Sequence, residues 1–289
     1  MMRSMTAPGT FPGSGAGQTP PDWLVARLRA AGCVFAEDEA SVLVASAASS
    51  AELAQMLRRR EDGLPLEHVV GWVEFAGRRV DVDEGVFVPR RRSELLVREA
   101  VAHLARTMPP AGRRPAVVDL CCGCGAIGVA IAAAVPGIDL VAADLDPVAT
   151  RCAERNLATV GGIVVRGDLF AALPDKLRGR VDVLVANAPY VPTGAIALMP
   201  PEARDHEPAA ALDGGPDGTD ILRRVIAGAP EWLGPGGLVL VEVGRTQQDT
   251  VVRELARHDL NPRIVVDDEL GGMVATGRRP AARTIRWQN

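Results

Sequence analysis

The chain predicts a doubly wound α/β domain on a mostly parallel sheet, preceded by a small helical unit. Three observations carry that reading. From residue 116 onward, apolar strand patterns alternate with helical ones without interruption, as parallel βαβ units require. Before residue 60 the apolar residues recur instead at spacings of three and four, the period of a helix. Between a strand pattern and a helical one lies Gly123-Cys124-Gly125-Ala126-Ile127-Gly128, a G-x-G-x-x-G turn placed where such sheets open their ligand crevice.

The elements follow in chain order. Residues 1–20 are rich in Gly, Pro, Ser and Thr and lack the apolar core of a signal peptide, so a disordered tail is expected. Residues 21–68 carry Trp23, Leu24 and Leu28, then Ala40, Val42, Leu43, Leu53, Met56 and Leu57, with Gly32 as a break. That pattern predicts two or three helices. Residues 69–88 alternate (Val73, Phe75, Val80, Val82, Val86, Val88) around Ala76-Gly77-Arg78, which predicts a linking β-hairpin. A helix is expected from Ser93 to about Thr107, stopped by Pro109-Pro110.

The main domain, 89–280, should hold strands near 116–120, 138–143, 163–166, 181–186, 237–243, 262–266 and 272–277. Helices should fill 126–134, 147–158, 218–232 and 246–258. The last two strands, joined through Gly271-Gly272, predict an antiparallel hairpin at one edge of a seven-stranded sheet. Residues 281–289 read as a short tail. The segment between Val191 and Pro216 is rich in Pro, Gly and charge and is longer than ordinary connections, which marks it as a lid or substrate-binding loop.

Composition narrows the function. An apolar fraction of 47% supports a sizeable core, and no window reaches the roughly 18 apolar residues of a membrane span. The net charge is -4 and Lys176 is the only lysine, which argues against a nucleic-acid partner. Five cysteines, three of them at 121, 122 and 124, suit neither a disulfide framework nor the paired spacing of a zinc site. A reducing cytoplasm, no metal and a monomer are expected.

Four polar side chains end successive strands: Asp119, Asp144, Asp168 and Asn187. In a doubly wound sheet they converge on one edge. The glycine turn alone fits a dinucleotide as well as S-adenosylmethionine (SAM). Three further features favour SAM. Asp119 precedes the loop, where a carboxylate can meet the cationic methionine portion. Asp168-Leu169 follows the third strand, suited to an adenine amino group, while Asp144 and Leu145 suit the ribose. Asn187-Ala188-Pro189-Tyr190 follows the fourth. There the Asn side chain and the 188 carbonyl can accept hydrogen bonds from an NH2 group, with Tyr190 flat against it. The cofactor residues are thus Asp119, Cys121, Cys122, Gly123, Cys124, Gly125, Asp144, Leu145, Asp168, Leu169 and Asn187.

Residues 63–71 (GLPLEHVVG), 74–77 (EFAG) and 85–94 (GVFVPRRRSE) join these motifs, and Glu207-Pro208 lies in the long loop. With them the chain resembles the bacterial release-factor glutamine N5-methyltransferases over residues 22 to 280. The resemblance implies the class I SAM-dependent methyltransferase fold, with the N-terminal helices as a docking surface. It implies SAM as cofactor and, as acceptor, the glutamine amide in the Gly-Gly-Gln loop of a peptide-chain release factor. It also implies Asn187 and Tyr190 as catalytic, with Ala188, Pro189, Pro89, Arg90, Glu94 and Glu207 completing the substrate site.

Four positions depart from the family pattern. Ala188 replaces the first proline of the tetrapeptide, and Cys121 replaces a glycine and requires a negative φ. Arg91 and Ser93 replace a proline and a threonine. These departures sustain a second reading, an N-methyltransferase of a small-molecule amide or amine. An adenine methyltransferase of nucleic acid shares the tetrapeptide but calls for a basic recognition domain. An NAD(P)-dependent oxidoreductase shares only the glycine turn.

Overall fold

The computed structural model describes residues 19–107 and 112–281. Most of the expected N-terminal tail, Pro109-Pro110 and residues 282–289 lie outside this range. Four helices open the described chain: α1 (Asp22–Ala30), α2 (Ala36–Ser46), α3 (Ser50–Glu61) and α4 (Leu66–Val70). Leu24, Leu28, Ala40, Leu43 and Leu57 form their common core. Helix α3 begins at a reciprocal cap: the Glu52 amide donates to Ser49 Oγ at 3.2 Å and the Ala48 amide to Glu52 Oε2 at 2.7 Å. The fourth helix exceeds the two or three expected, because five residues are too few to show a period. It stops at Gly71, whose φ of 80° is open to glycine.

The hairpin is shorter than the alternation predicts. Strands β1 (Trp72–Phe75) and β2 (Arg78–Asp81) pair antiparallel. Val82, Val86 and Val88 are buried, but in a loop turned by the Val86 amide donating to Asp83 O at 3.1 Å. Burial alternated there without a partner strand. Helix α5 (Glu94–Arg106) follows and buries Leu95, Leu96, Ala100 and Leu104.

The main sheet contains β3 (Ala116–Leu120), β4 (Asp139–Asp144), β5 (Ile163–Arg166), β6 (Val181–Ala186), β7 (Leu233–Glu242), β8 (Asn261–Asp267) and β9 (Gly272–Arg278). Their spatial order is β5-β4-β3-β6-β7-β9-β8. All pairs are parallel except β7–β9 and β8–β9. The chain order reverses between β3 and β6, which places the crevice at their carboxyl ends. Strand β7 starts four residues earlier than predicted, since Leu233 pairs with Val181 across an irregularity in register.

Helices α6 (Ala126–Ala134) and α7 (Pro147–Ala158) cover one face of the sheet with α5. Helices α10 (Asp220–Trp232) and α11 (Gln248–Arg257) cover the other. The long connection is ordered by two short helices, α8 (Pro201–His206) and α9 (Ala209–Leu212). Val191 and Gly214 close it on itself: the Val191 amide donates to Leu212 O and the Gly214 amide to Val191 O.

Candidate active site

A cavity of about 510 Å³ opens where β3, β4 and β6 end, within the range of small-molecule sites. Its floor is the Cys121–Gly125 turn. The Cys122 amide donates to Ala143 O at 3.1 Å, and the Gly123 amide to Asp144 Oδ2 at 2.8 Å. Cys121, Cys122, Gly123 and Cys124 all line the cavity, as do Asp144, Leu145, Asp168 and Leu169. Gly125 lies behind them: a Cβ there would sit 2.4 Å from Leu157 Cδ1 on α7, at a φ of 79°. Gly128 lets α6 approach β3, since a Cβ would meet Asp119 Oδ2 at 3.1 Å.

One expectation is overturned. Cys121 has a φ of 54°, not the negative value the substitution for glycine called for. The left-handed conformation costs a non-glycine residue about 1–2 kcal/mol. The turn is nevertheless closed here by the Cys122 amide on Ala143 O and the Gly125 amide on Cys122 O.

Asp119 lies beneath the floor, fully buried. The Gly128 amide donates to its Oδ2 at 2.9 Å, while Oδ1 has no partner. Burial pushes its pKa up from 3.8 to about 7, against the pull of that amide. Asp144 accepts the Gly123 and Asp146 amides, one on each oxygen, yet burial raises its pKa as well. Asp168 instead accepts Arg224 Nη2 at 2.6 Å on the cavity wall. An orphaned buried carboxylate oxygen, an open glycine floor and two further acidic groups suit a cationic nucleoside. The residues therefore fit SAM.

Asn187, Pro189 and Pro89 line the opposite wall with Ser93 and Phe87. Ala188 is buried, and no described backbone amide donates to its carbonyl. Pro189 biases residue 188 toward extended geometry. Tyr190 does not line this cavity. Its hydroxyl donates to Glu242 Oε1 at 2.7 Å and accepts Arg92 Nη2 at 2.9 Å. Its main chain is tied by Gln247, whose Nε2 donates to Tyr190 O at 2.7 Å.

Three more expected substrate residues are engaged within the protein. Arg90 Nη2 lies 2.5 Å from Glu207 Oε1, and the buried Glu207 also accepts the Val88 amide. Glu94 accepts the Ala76 amide at 3.1 Å and clamps the hairpin turn. Arg224 and Glu242 escaped the sequence reading, and Phe87, Arg92 and Ser93 stood in the 85–94 segment without a site role. Glu242 carried a usable signal, an acidic residue ending the apolar run Leu238–Val241. Among the described residues, no helix is long and apolar enough to cross a membrane, and no group of His, Cys, Asp or Glu is arranged to hold a metal.

A doubly wound seven-stranded sheet with an acidic, glycine-floored pocket at its switch point defines a SAM-dependent methyltransferase, and SAM is its cofactor. The methyltransferase small domain family matches residues 80–199. The chain belongs to the release factor glutamine methyltransferase family. Such an enzyme from Geobacter sulfurreducens is 39% identical over 70% of this chain and 68% of its own length. A 4-amino-L-phenylalanine/4-methylamino-L-phenylalanine methyltransferase from Streptomyces pristinaespiralis is 38% identical over 68% of this chain and 66% of its own. A 16S rRNA methyltransferase from T. thermophilus, solved with AdoMet and guanosine, shares the fold at a TM-score of 0.50 and 19% identity, over 72% of this chain and 49% of that one.

Proposed function

We propose that this enzyme methylates the side-chain amide nitrogen of a glutamine, that of the Gly-Gly-Gln loop of a peptide-chain release factor. The observation that carries the reading is the cavity wall at Asn187 and Pro189, with the carbonyl of the buried Ala188 between them. It offers a side-chain amide and a carbonyl free of backbone donors beside a cofactor-sized cavity. The relative from G. sulfurreducens, named for release factor glutamine, supports the same acceptor.

SAM, when bound, supplies an electrophilic methyl group. The protein's part is to present a poor nucleophile, an amide nitrogen whose lone pair is delocalised into its carbonyl. Asn187 Oδ1 and the 188 carbonyl accept the two NH2 hydrogens and orient the nitrogen, so that positioning and exclusion of water provide most of the acceleration. The proton leaves to solvent after transfer, so no strong base is needed. Tyr190 acts from behind, its ring seated against the core and its hydroxyl held by Arg92 and Glu242. Arg90, Glu207 and Glu94 shape the substrate wall through Val88, the long loop and the hairpin. The N-terminal helices are the docking surface, with Trp23 exposed on α1 and Val34 in the turn that follows it. The enzyme works as a cytoplasmic monomer.

A second reading has its own support, the relative that methylates an aromatic amine together with Ala188 in place of proline. Both are tested by incubating the protein and SAM with a release factor and, separately, with 4-amino-L-phenylalanine. A methyl group on the Gly-Gly-Gln glutamine, read by tandem mass spectrometry and lost in Asn187→Ala with SAM binding intact, is the expected result. Methylation of the amine alone would transfer the assignment to the second reading.

A further inference from the structure

Behind Asn187 lies a chain of hydrogen bonds with one consistent direction. Asn187 Nδ2 is 3.3 Å from Ser93 Oγ, and Ser93 Oγ is 2.6 Å from Glu242 Oε2. The other carboxylate oxygen, Oε1, accepts Arg92 Nε at 2.8 Å and the Tyr190 hydroxyl at 2.7 Å. Ser93 and Glu242 are buried, at 0% and 2% exposure, and each carries its polar atoms into this chain of partners.

Donor and acceptor counting fixes every orientation. A carboxylate only accepts, and a serine hydroxyl has one hydrogen to give. Ser93 must spend that hydrogen on Glu242 and can only accept from Asn187. The Asn187 amide therefore turns its NH2 toward Ser93, which leaves Oδ1 for the cavity. An amide in the opposite sense would present NH2 to the NH2 of a substrate, donor against donor.

We propose that Glu242 and Ser93 are positioning residues which set the sense of the Asn187 side-chain amide, and thereby the enzyme's selection of an NH2-bearing acceptor. The proposal rests on the reading of Asn187 as the acceptor of substrate hydrogen bonds. Arg92 gives the relay its polarity: a guanidinium has no acceptor, so whatever stands at 242 must turn an oxygen toward it.

That polarity makes the relay reversible by one isosteric change. In Glu242→Gln the side-chain oxygen faces Arg92 and Tyr190, and the new NH2 donates to Ser93. Ser93 then gives its hydrogen to Asn187 Oδ1, and the Asn187 amide turns over.

The test combines two readouts. The first is kcat for methyl transfer alongside the Kd for SAM by calorimetry. Glu242→Gln should lower kcat about a hundredfold, as misoriented contacts do, with Kd changed less than twofold. Ser93→Ala, which frees the amide without reversing it, should lower kcat about tenfold. Glu242→Gln with Ser93→Ala should recover to the level of Ser93→Ala alone, and Ser93→Thr should stay within about threefold of the parent. The second readout needs no acceptor. In 15N-labelled protein the Asn187 side-chain NH2, assigned by its loss in Asn187→Asp, should exchange slowly in the parent and rapidly in Glu242→Gln.

Unchanged exchange, or unchanged kcat, in Glu242→Gln overturns the relay, and so do strictly multiplicative losses in the double variant. If Glu242→Gln does not fold, equal kcat in Ser93→Ala and Ser93→Thr overturns it instead. Failure of the parent to methylate a release factor counts against the proposed acceptor and leaves the exchange test standing.

Discussion

Asp119 is a buried acid with nothing but one amide to hold its charge. Its folded pKa, about 7, lies above its ordinary 3.8. The folded state therefore binds that proton more tightly than the unfolded chain does, so the stability it contributes is full below about pH 4 and is lost as pH rises through 7. A cationic cofactor reverses the preference, since it favours the ionised form. SAM affinity should thus rise with pH across 6 to 8 in the parent, measured by calorimetry, and be flat in Asp119→Asn. The ligand-free variant should also lose the decline in melting temperature between pH 5 and 8 that this group imposes. Residues of this kind were legible from sequence because they end strands. Arg92 and Ser93 were not, because their role depends on Glu242, 150 and 149 residues further along.

Among the elements, the strands and helices of the main domain stand close to where periodicity placed them. The reason is physical: the central strands β3, β4, β6 and β7 are buried on both faces and most covering helices on one, so apolar spacing records packing directly. The signal fails where burial is not coupled to a regular partner, as at Val82–Val88, or where an element is too short to repeat, as in α4. The α6–α7 contact shows how tightly the site depends on this packing. Gly125→Ala would drive a methyl into Leu157 and demand a left-handed alanine. It should cost about 2–3 kcal/mol in urea unfolding and weaken SAM binding by at least tenfold, because the displaced turn carries the cavity floor.

Across the whole molecule, the helical unit and the long connection are joined through a buried guanidinium. Arg60 is buried, with Nε 2.7 Å from Glu39 Oε2 and Nη2 2.5 Å from Glu202 Oε1. A third nitrogen, Nη1, reaches Leu64 O at 3.1 Å. Arg60→Met would leave the buried Glu39 without its cation, a loss of about 3–5 kcal/mol in chemical denaturation. Glu202 belongs to α8, in the segment whose later residues Pro208, Ala210 and Ala211 line the cavity. A force applied to the first three helices thus has a stiff, charged strut through which to reach the wall of the reaction chamber. Were a protein acceptor to dock on those helices, as proposed above, it would press on that strut, whereas a free amino acid diffusing into the chamber would exert no such load. On that proposal the two kinds of acceptor would meet the same atoms under different load, with Arg60 standing between the helices and the chamber wall.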